Sequence, residues 1–278
     1  MFKKIFFVLL IFNFSFAIDY FSENALLNFA DSLYNEKDYK GALLEYRRIL
    51  TMDKRKIKDS TIYFKIALCY EKLKDYKNAV SNYEKAVSDS DIVGYRIALN
   101  QTRLKEFSYS INTIKSYNKE VIFDKTGVLY TLNLISLSNY NLAKEVLGKE
   151  TVFEKAYYEN LTNRINSLIR GYEKFPEKNP YLAAFYSTIL PGSGKFYAER
   201  WFDGLFSLTF IASTAVFATL YFMNNGVESW QGWVLTGTGI VFYFGDIYGA
   251  FKAAENYNKN KILSLEKEKD VLLDEISE

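Results

Sequence analysis

Leu33-Tyr-Asn-Glu-Lys-Asp-Tyr39-Lys-Gly-Ala42-Leu-Leu-Glu-Tyr46 returns later in the chain as Cys69-Tyr-Glu-Lys-Leu-Lys-Asp-Tyr76-Lys-Asn-Ala79-Val-Ser-Asn-Tyr83. Each stretch reads as a helix, a short Lys-Asp-Tyr turn, and a second helix with a small residue just inside it. Ala30 and Ala67 lie nine residues before the turn tyrosines. There the first helix has to approach the second closely, and Ala42 and Ala79 supply the matching small residue. Tyr46 and Tyr83 then fill the groove towards the next unit. A helical hairpin of this kind cannot bury its apolar face alone, so at least about three are expected to stack.

The pattern resembles the tetratricopeptide repeat, a helical hairpin of about 34 residues. Tyr39 and Tyr76 are 37 apart, and the surplus falls in the charged link from Met52 to Ser60. Phe107-Ser-Tyr-Ser110, preceded by Ala98, fits a third repeat. Tyr140-Asn-Leu-Ala143, preceded by Thr131, fits a fourth poorly. The segment Val152 to Tyr172 is again helical in pattern, and Pro176 and Pro180 end it. The resemblance implies a concave solenoid that binds a peptide or helix. It assigns the groove to Leu27, Phe64 and Tyr95, with Asp31, Tyr34, Glu71 and Arg103 beside them. The alternative is that these side chains pack against helices of the same chain.

Composition narrows the chemistry. The 278 residues carry a formal charge of +2 with both signs interspersed, which is not the basic field that nucleic acid needs. There is no histidine, hence no Ser-His or Cys-His nucleophile and no imidazole ligand. The single cysteine, Cys69, falls on an apolar helical face and reads as core packing. No catalytic residue, metal site or cofactor is expected.

Met-Phe-Lys-Lys, an apolar run from Ile5 to Phe12 and Ser15-Phe16-Ala17 have the form of an export signal over residues 1–17, with cleavage before Ile18. An uncleaved anchor helix is the alternative. Residues 18–175 then form the repeat domain.

After Pro180 the composition changes. Gly204 to Met223 carries no charge, and Gln231 to Phe251 carries one, Asp246. Each run has about the twenty residues that a hydrocarbon core requires. Trp201, Tyr221, Trp230, Trp233 and Tyr248 mark the ends, as in an interfacial aromatic belt. A membrane domain over 180–252 is predicted, with spans at about 204–223 and 231–251. A pair of helices buried in protein is the competing possibility. Upstream, Gly-Ser-Gly-Lys195 fails as a phosphate loop, because Ile189 stands where the first glycine belongs and Phe196 where Ser or Thr would hold magnesium. Ser187-x-x-x-Pro191-Gly192-x-Gly194-x-x-Tyr197 resembles a bacterial membrane-hairpin family with a Pro-Gly-x-Gly-x-x-Tyr signature. That resemblance implies no activity. The apolar stretch Tyr181 to Leu190 is too short to cross and Pro191-Gly-Ser-Gly stops it, so residues 181–197 read as an interfacial or re-entrant segment. Gly245 and Gly249 form a G-x-x-x-G pair. Asp246 between them is either a functional intramembrane acid, with Lys195 or Arg200 as partner, or a side chain reaching the interface. The tail, 253–278, reads as an amphipathic helix.

The expected fold is therefore all-α: a tetratricopeptide-like solenoid followed by a two-helix transmembrane hairpin. The expected function is a membrane-anchored scaffold of the bacterial cell envelope. Its partners would be another envelope protein or peptide and membrane lipid, with the spans or the tail as surfaces for self-association. The export signal places the repeats and tail in the periplasm at the inner membrane, whereas Lys195, Arg200, Lys252, Lys259 and Lys261 flanking the hairpin favour the opposite orientation. The alternative function is an oligomeric transport or pore component built on Asp246 and the glycine-rich second span.

Overall fold

The computed structural model describes residues 22–52, 58–86, 91–117, 125–148 and 155–277. The export signal and most of the link from Met52 to Ser60 lie outside the described residues. Among the described residues there are thirteen helices and no strand. Contacts divide the chain into two compact units, Met1–Asn166 with Leu273–Glu278, and Ser167–Leu272.

In the first unit, α1 (Glu23–Asn35) and α2 (Tyr39–Leu50) pair as a hairpin, as do α3 (Asp59–Lys72) and α4 (Tyr76–Lys85). The pairs α5 (Asp91–Arg103) with α6 (Phe107–Tyr117) and α7 (Lys125–Ser136) with α8 (Tyr140–Leu147) follow. Each hairpin also packs on the next, α2 on α3, α4 on α5 and α6 on α7.

The Lys-Asp-Tyr turn has a clear division of labour. Lys37 and Lys74 take the left-handed conformation, φ 66° and 61°, which stops the first helix. That conformation opposes the L configuration by about 1–2 kcal/mol, and two backbone bonds offset it: Lys37 N–H donates to Tyr34 O at 3.0 Å and Asp38 N–H to Leu33 O at 2.9 Å. Asp38 and Asp75 then cap the second helix, their carboxylates accepting from Gly41 N–H at 3.0 Å and Asn78 N–H at 3.3 Å. Lys105 and Ser138, φ 63° and 59°, repeat the turn in the third and fourth hairpins.

The fourth hairpin thus repeats the backbone of the first turn, without a side-chain cap at Asn139, although its sequence fits poorly. Thr131 stands where the others have alanine and is fully buried, yet its hydroxyl donates to Gly127 O at 2.8 Å within its own helix. A satisfied hydroxyl is tolerated where an unpaired one would not be. The small residues predicted at the close contacts, Ala30, Ala42, Ala67, Ala79, Ala98, Ser110 and Ala143, are all fully buried.

α9 (Lys155–Glu173) precedes the second group of helices. In the second unit α10 (Pro180–Ile189) starts at Asn179, whose side chain accepts from Tyr181 and Leu182 N–H, with proline at its first position. α11 (Ser193–Tyr197), α12 (Trp201–Asn225) and α13 (Trp230–Ser277) complete the chain. α12 and α13 are long and apolar enough to cross a membrane, with mean hydropathy of 1.8 and 1.2 over their best windows. The predicted tail is not a separate helix. From Phe251 to Ser277 there is neither glycine nor proline to break α13, so it runs on without interruption.

Between α11 and α12 the repeat-type turn appears a fifth time. Glu199 has φ 63°, its N–H donates to Phe196 O, and Arg200 N–H donates to Lys195 O, both at 2.9 Å. Trp201 stands in place of the turn tyrosine. Gly204, three residues on, and Gly192, nine residues before, occupy the small-residue positions.

Candidate functional site

The predicted groove residues begin on the first helix of each hairpin. Asp31, on α1, is reached by two donors on other helices. Tyr46 OH of the same hairpin donates to it at 2.5 Å, and Lys65 Nζ of the next hairpin lies at 2.7 Å. Glu71 repeats this one unit later. It accepts from Tyr83 OH at 2.9 Å, from Arg96 Nη1 at 2.7 Å and from Asn100 Nδ2 at 2.8 Å. An acid on one hairpin, the tyrosine of its second helix and a cation on the next hairpin therefore form a brace at each of these two junctions. Sequence reasoning placed the acids and tyrosines but missed Lys65, Arg96 and Asn100, which have no fixed position in the repeat pattern.

The other groove residues divide. Leu27 and Phe64 pack on the core, Phe64 with its ring edge-on to Tyr83 at 5.5 Å. Tyr34 lines a pocket of about 280 Å³ together with Asp31, Asn35, Tyr46, Lys65 and Leu68. Burial pushes the Tyr34 phenol up to about 12, and burial followed by the Glu71 carboxylate raises Tyr83 beyond the usual phenol range. Cys69 is fully buried beside them, as expected, and burial pushes its thiol up to about 12. Tyr95 and Arg103 meet the end of the chain itself: Tyr95 OH donates to Ile276 O at 2.6 Å, and Arg103 Nη2 reaches Asp274 Oδ1 at 3.0 Å and Ser277 Oγ at 3.1 Å. Arg164 adds an ion pair with Glu275 at 2.6 Å.

In the second unit the predicted membrane motif gathers around Asp246. Its side chain is 1 % exposed. Oδ2 accepts from Gly192 N–H at 2.7 Å, and Oδ1 lies 2.9 Å from Lys195 Nζ. Lys195 donates onward to Ser207 Oγ at 2.7 Å, and Gly194 N–H donates to Ser187 Oγ at 3.3 Å. Lys195 is the partner anticipated for Asp246. Arg200 pairs instead with Asp203.

The glycines make this geometry possible. A Cβ on Gly192, whose φ is 84°, would sit 2.1 Å from Gly204 O, and one on Gly194 would sit 1.9 Å from Ala183 O. Gly249 faces the Lys195 side chain, at 3.1 Å from Cε, whereas Gly245 faces open space. Of the G-x-x-x-G pair, Gly249 thus meets another helix of this chain, α11 through Lys195, and Gly245 meets none. Pro191 precedes the left-handed Gly192, and Tyr197 packs on an alanine cluster of Ala183, Ala198, Ala250, Ala253 and Ala254. Tyr197 OH also accepts from Asn179 N–H at 3.1 Å.

The four hairpins share one turn geometry and small residues at their crossings, and acid–tyrosine–cation braces join the first three. Residues 60–88 match the tetratricopeptide repeat family. No curated protein matches the chain. The matched tetratricopeptide hairpin is α3 with α4, which carries Phe64, Glu71, Tyr83 and Cys69. Tetratricopeptide repeats are interaction modules that bind other proteins and typically have no chemistry of their own. Among the described residues no group of histidine, cysteine and carboxylates is placed to hold a metal ion.

Proposed function

We propose that this chain is a membrane-anchored, non-catalytic scaffold of the bacterial cell envelope, which holds a partner protein or peptide on the concave face of its repeats. The observation that carries the reading is the match and geometry of the tetratricopeptide hairpins, joined in one chain to two helices of spanning length. The pocket around Tyr34 and Lys65 supports a peptide-sized contact, since it offers a carboxylate, an ammonium, an amide and two phenols within one small concavity. Support for the anchor comes from large apolar side chains that point outward along both long helices, among them Phe202, Phe206, Met223, Val241 and Phe244. Such a surface is unfavourable in water and suited to lipid. The predicted orientation keeps the repeats in the periplasm at the inner membrane.

Asp246 on this reading is a clasp rather than a transport site. Lys195 balances its charge, and the Gly192 N–H donates to the second oxygen, so the segment 191–197, with α11, is tied to α13. Crosslinking in native membranes followed by capture of the full-length protein tests both statements. Tyr34→Ala should reduce the yield of a specific crosslinked partner at least fivefold. Asp246→Asn should leave that yield unchanged while lowering the temperature at which the detergent-extracted protein aggregates. Loss of partner capture with Asp246→Asn alone would overturn the scaffold reading in favour of the transport component.

A further inference from the structure

The last turn of α13 is held by groups that suit the carboxyl end of a helix. The final carbonyls of a helix have no partner within it, and the end carries partial negative charge. Tyr95 OH donates to one of those carbonyls, that of Ile276, at 2.6 Å. Two guanidinium groups stand beside the same turn, Arg103 against Asp274 and Ser277, and Arg164 against Glu275. Arg103 is itself steadied over the Tyr76 ring at 5.4 Å, a turn tyrosine of the second hairpin. Leu273 and Ile276, three apart and so on one face of the helix, are both buried. The contact thus reads three features at once: an uncapped carbonyl, a pair of carboxylates and an apolar i, i+3 pair.

We propose that Tyr95, Arg103 and Arg164 form a receptor for the carboxyl end of an acidic amphipathic helix, and that the chain's own last turn occupies it until a partner protein presenting the same chemistry displaces it. The proposal rests on the scaffold reading and names the partner class for the third hairpin. The occupant on the page fixes that class through charge complementarity: two arginines facing Asp274 and Glu275 reject a basic helix, and the Tyr95 hydroxyl requires a free carbonyl. The pocket at Tyr34 stays outside this contact, so the two surfaces are separable by mutation.

The test uses the full chain in detergent, the chain ended after Leu272, and a fluorescent peptide with the sequence of residues 262–278 as probe. The peptide should bind the shortened chain at least tenfold more tightly than the intact one. Arg103→Glu in the shortened chain should weaken it at least tenfold, and Asp274→Arg in the peptide should recover part of that loss. Equal affinity for both chains overturns the proposal, as does no binding to a shortened chain whose Cys69 is still protected from thiol reagents. Should the shortened chain lose that protection, hydrogen exchange in the intact chain decides. Arg103→Glu should speed exchange of residues 273–277 at least tenfold and Asp274→Arg in the same chain should slow it again, whereas unchanged exchange overturns the proposal. Protection that falls on dilution, which marks the tail of a second copy as the occupant, also overturns it. Peptide binding without any partner captured from membranes would leave the receptor standing and remove the scaffold reading, and the converse would do the opposite.

Discussion

Replacing Glu71 by alanine separates a groove residue from a structural one. Its side chain is 9 % exposed and serves three donors, with Arg96 at 23 % the charged one. Removing one member of a buried pair costs about 3–5 kcal/mol, because the other charge is left without compensation. Arg96 keeps some access to water, so the lower end, about 3 kcal/mol, is the expected loss. Asp31→Ala breaks the equivalent brace where the partners are 28 % and 35 % exposed, and such a pair is worth about 0–1 kcal/mol. Cys69 is a built-in reporter, since the only cysteine of the chain is fully buried on the same helix as Glu71. Its labelling by a thiol reagent requires that the hairpin open. At about 1.4 kcal/mol per tenfold, Glu71→Ala should speed labelling by roughly a hundredfold and Asp31→Ala by no more than about fivefold. Labelling in the reverse order would refute the brace. So would weaker partner capture by Glu71→Ala at an unchanged labelling rate, since that is the behaviour of a groove residue.

Ala79→Trp places an indole at a fully buried helix crossing and should destabilise the second hairpin by about 1–3 kcal/mol or more, read as faster Cys69 labelling. Gly194→Ala would drive a methyl group into Ala183 O, so the detergent-extracted protein should lose cooperative melting, while Gly245→Ala, which faces open space, should not. The folded-state values of Cys69 and Tyr34 are raised from 9.0 and 10.0 to about 12, so the unfolded chain loses these protons first as pH rises. Stability is then unchanged below about pH 9 and falls between about 9 and 12, by at most about 1.4 kcal/mol per pH unit for each group. A urea midpoint that stays flat from pH 8 to 11 counts against it. In a Cys69→Ser background, cysteines at Lys40 and Lys267 should both react with an impermeant maleimide on intact spheroplasts, and one at Asn225 should not. The reversed pattern would place the repeats in the cytoplasm.

Local chemistry made much of this fold legible. The Lys-Asp-Tyr turn encodes a left-handed stop, an N-cap and a first helical residue in three adjacent letters, so two hairpins could be found by eye. The fourth fitted poorly because Thr131 replaces alanine with a side chain whose hydroxyl is satisfied inside its own helix, which no spacing rule anticipates. The residues predicted for the groove lie on the first helices of three hairpins, and their contacts were not legible. Whether Glu71 faces a partner or Arg96 depends on a cation 25 residues away on another hairpin. The engagement of Tyr95 with Ile276 spans 181 residues, beyond any local pattern. Asp246 with Lys195 was the exception. An acid in an apolar run needs a counter-charge, and few cations stand near enough to supply it.

The clasp also sets an order of events during synthesis. Gly192 and Asp246 are separated by 54 residues. At about 5–20 residues per second, the ribosome delivers the carboxylate roughly 3–10 s after the loop that receives it. Through that interval the Lys195 ammonium has no Asp246 to meet, and α12 has no second apolar helix beside it. On the proposed membrane anchoring, an aspartate entering lipid alone is opposed by about 2.5–3.5 kcal/mol, and pairing with Lys195 offsets part of that cost. On the same proposed anchoring, the two long helices are suited to enter as a pair, with the contact between Gly192 and Asp246 closing last.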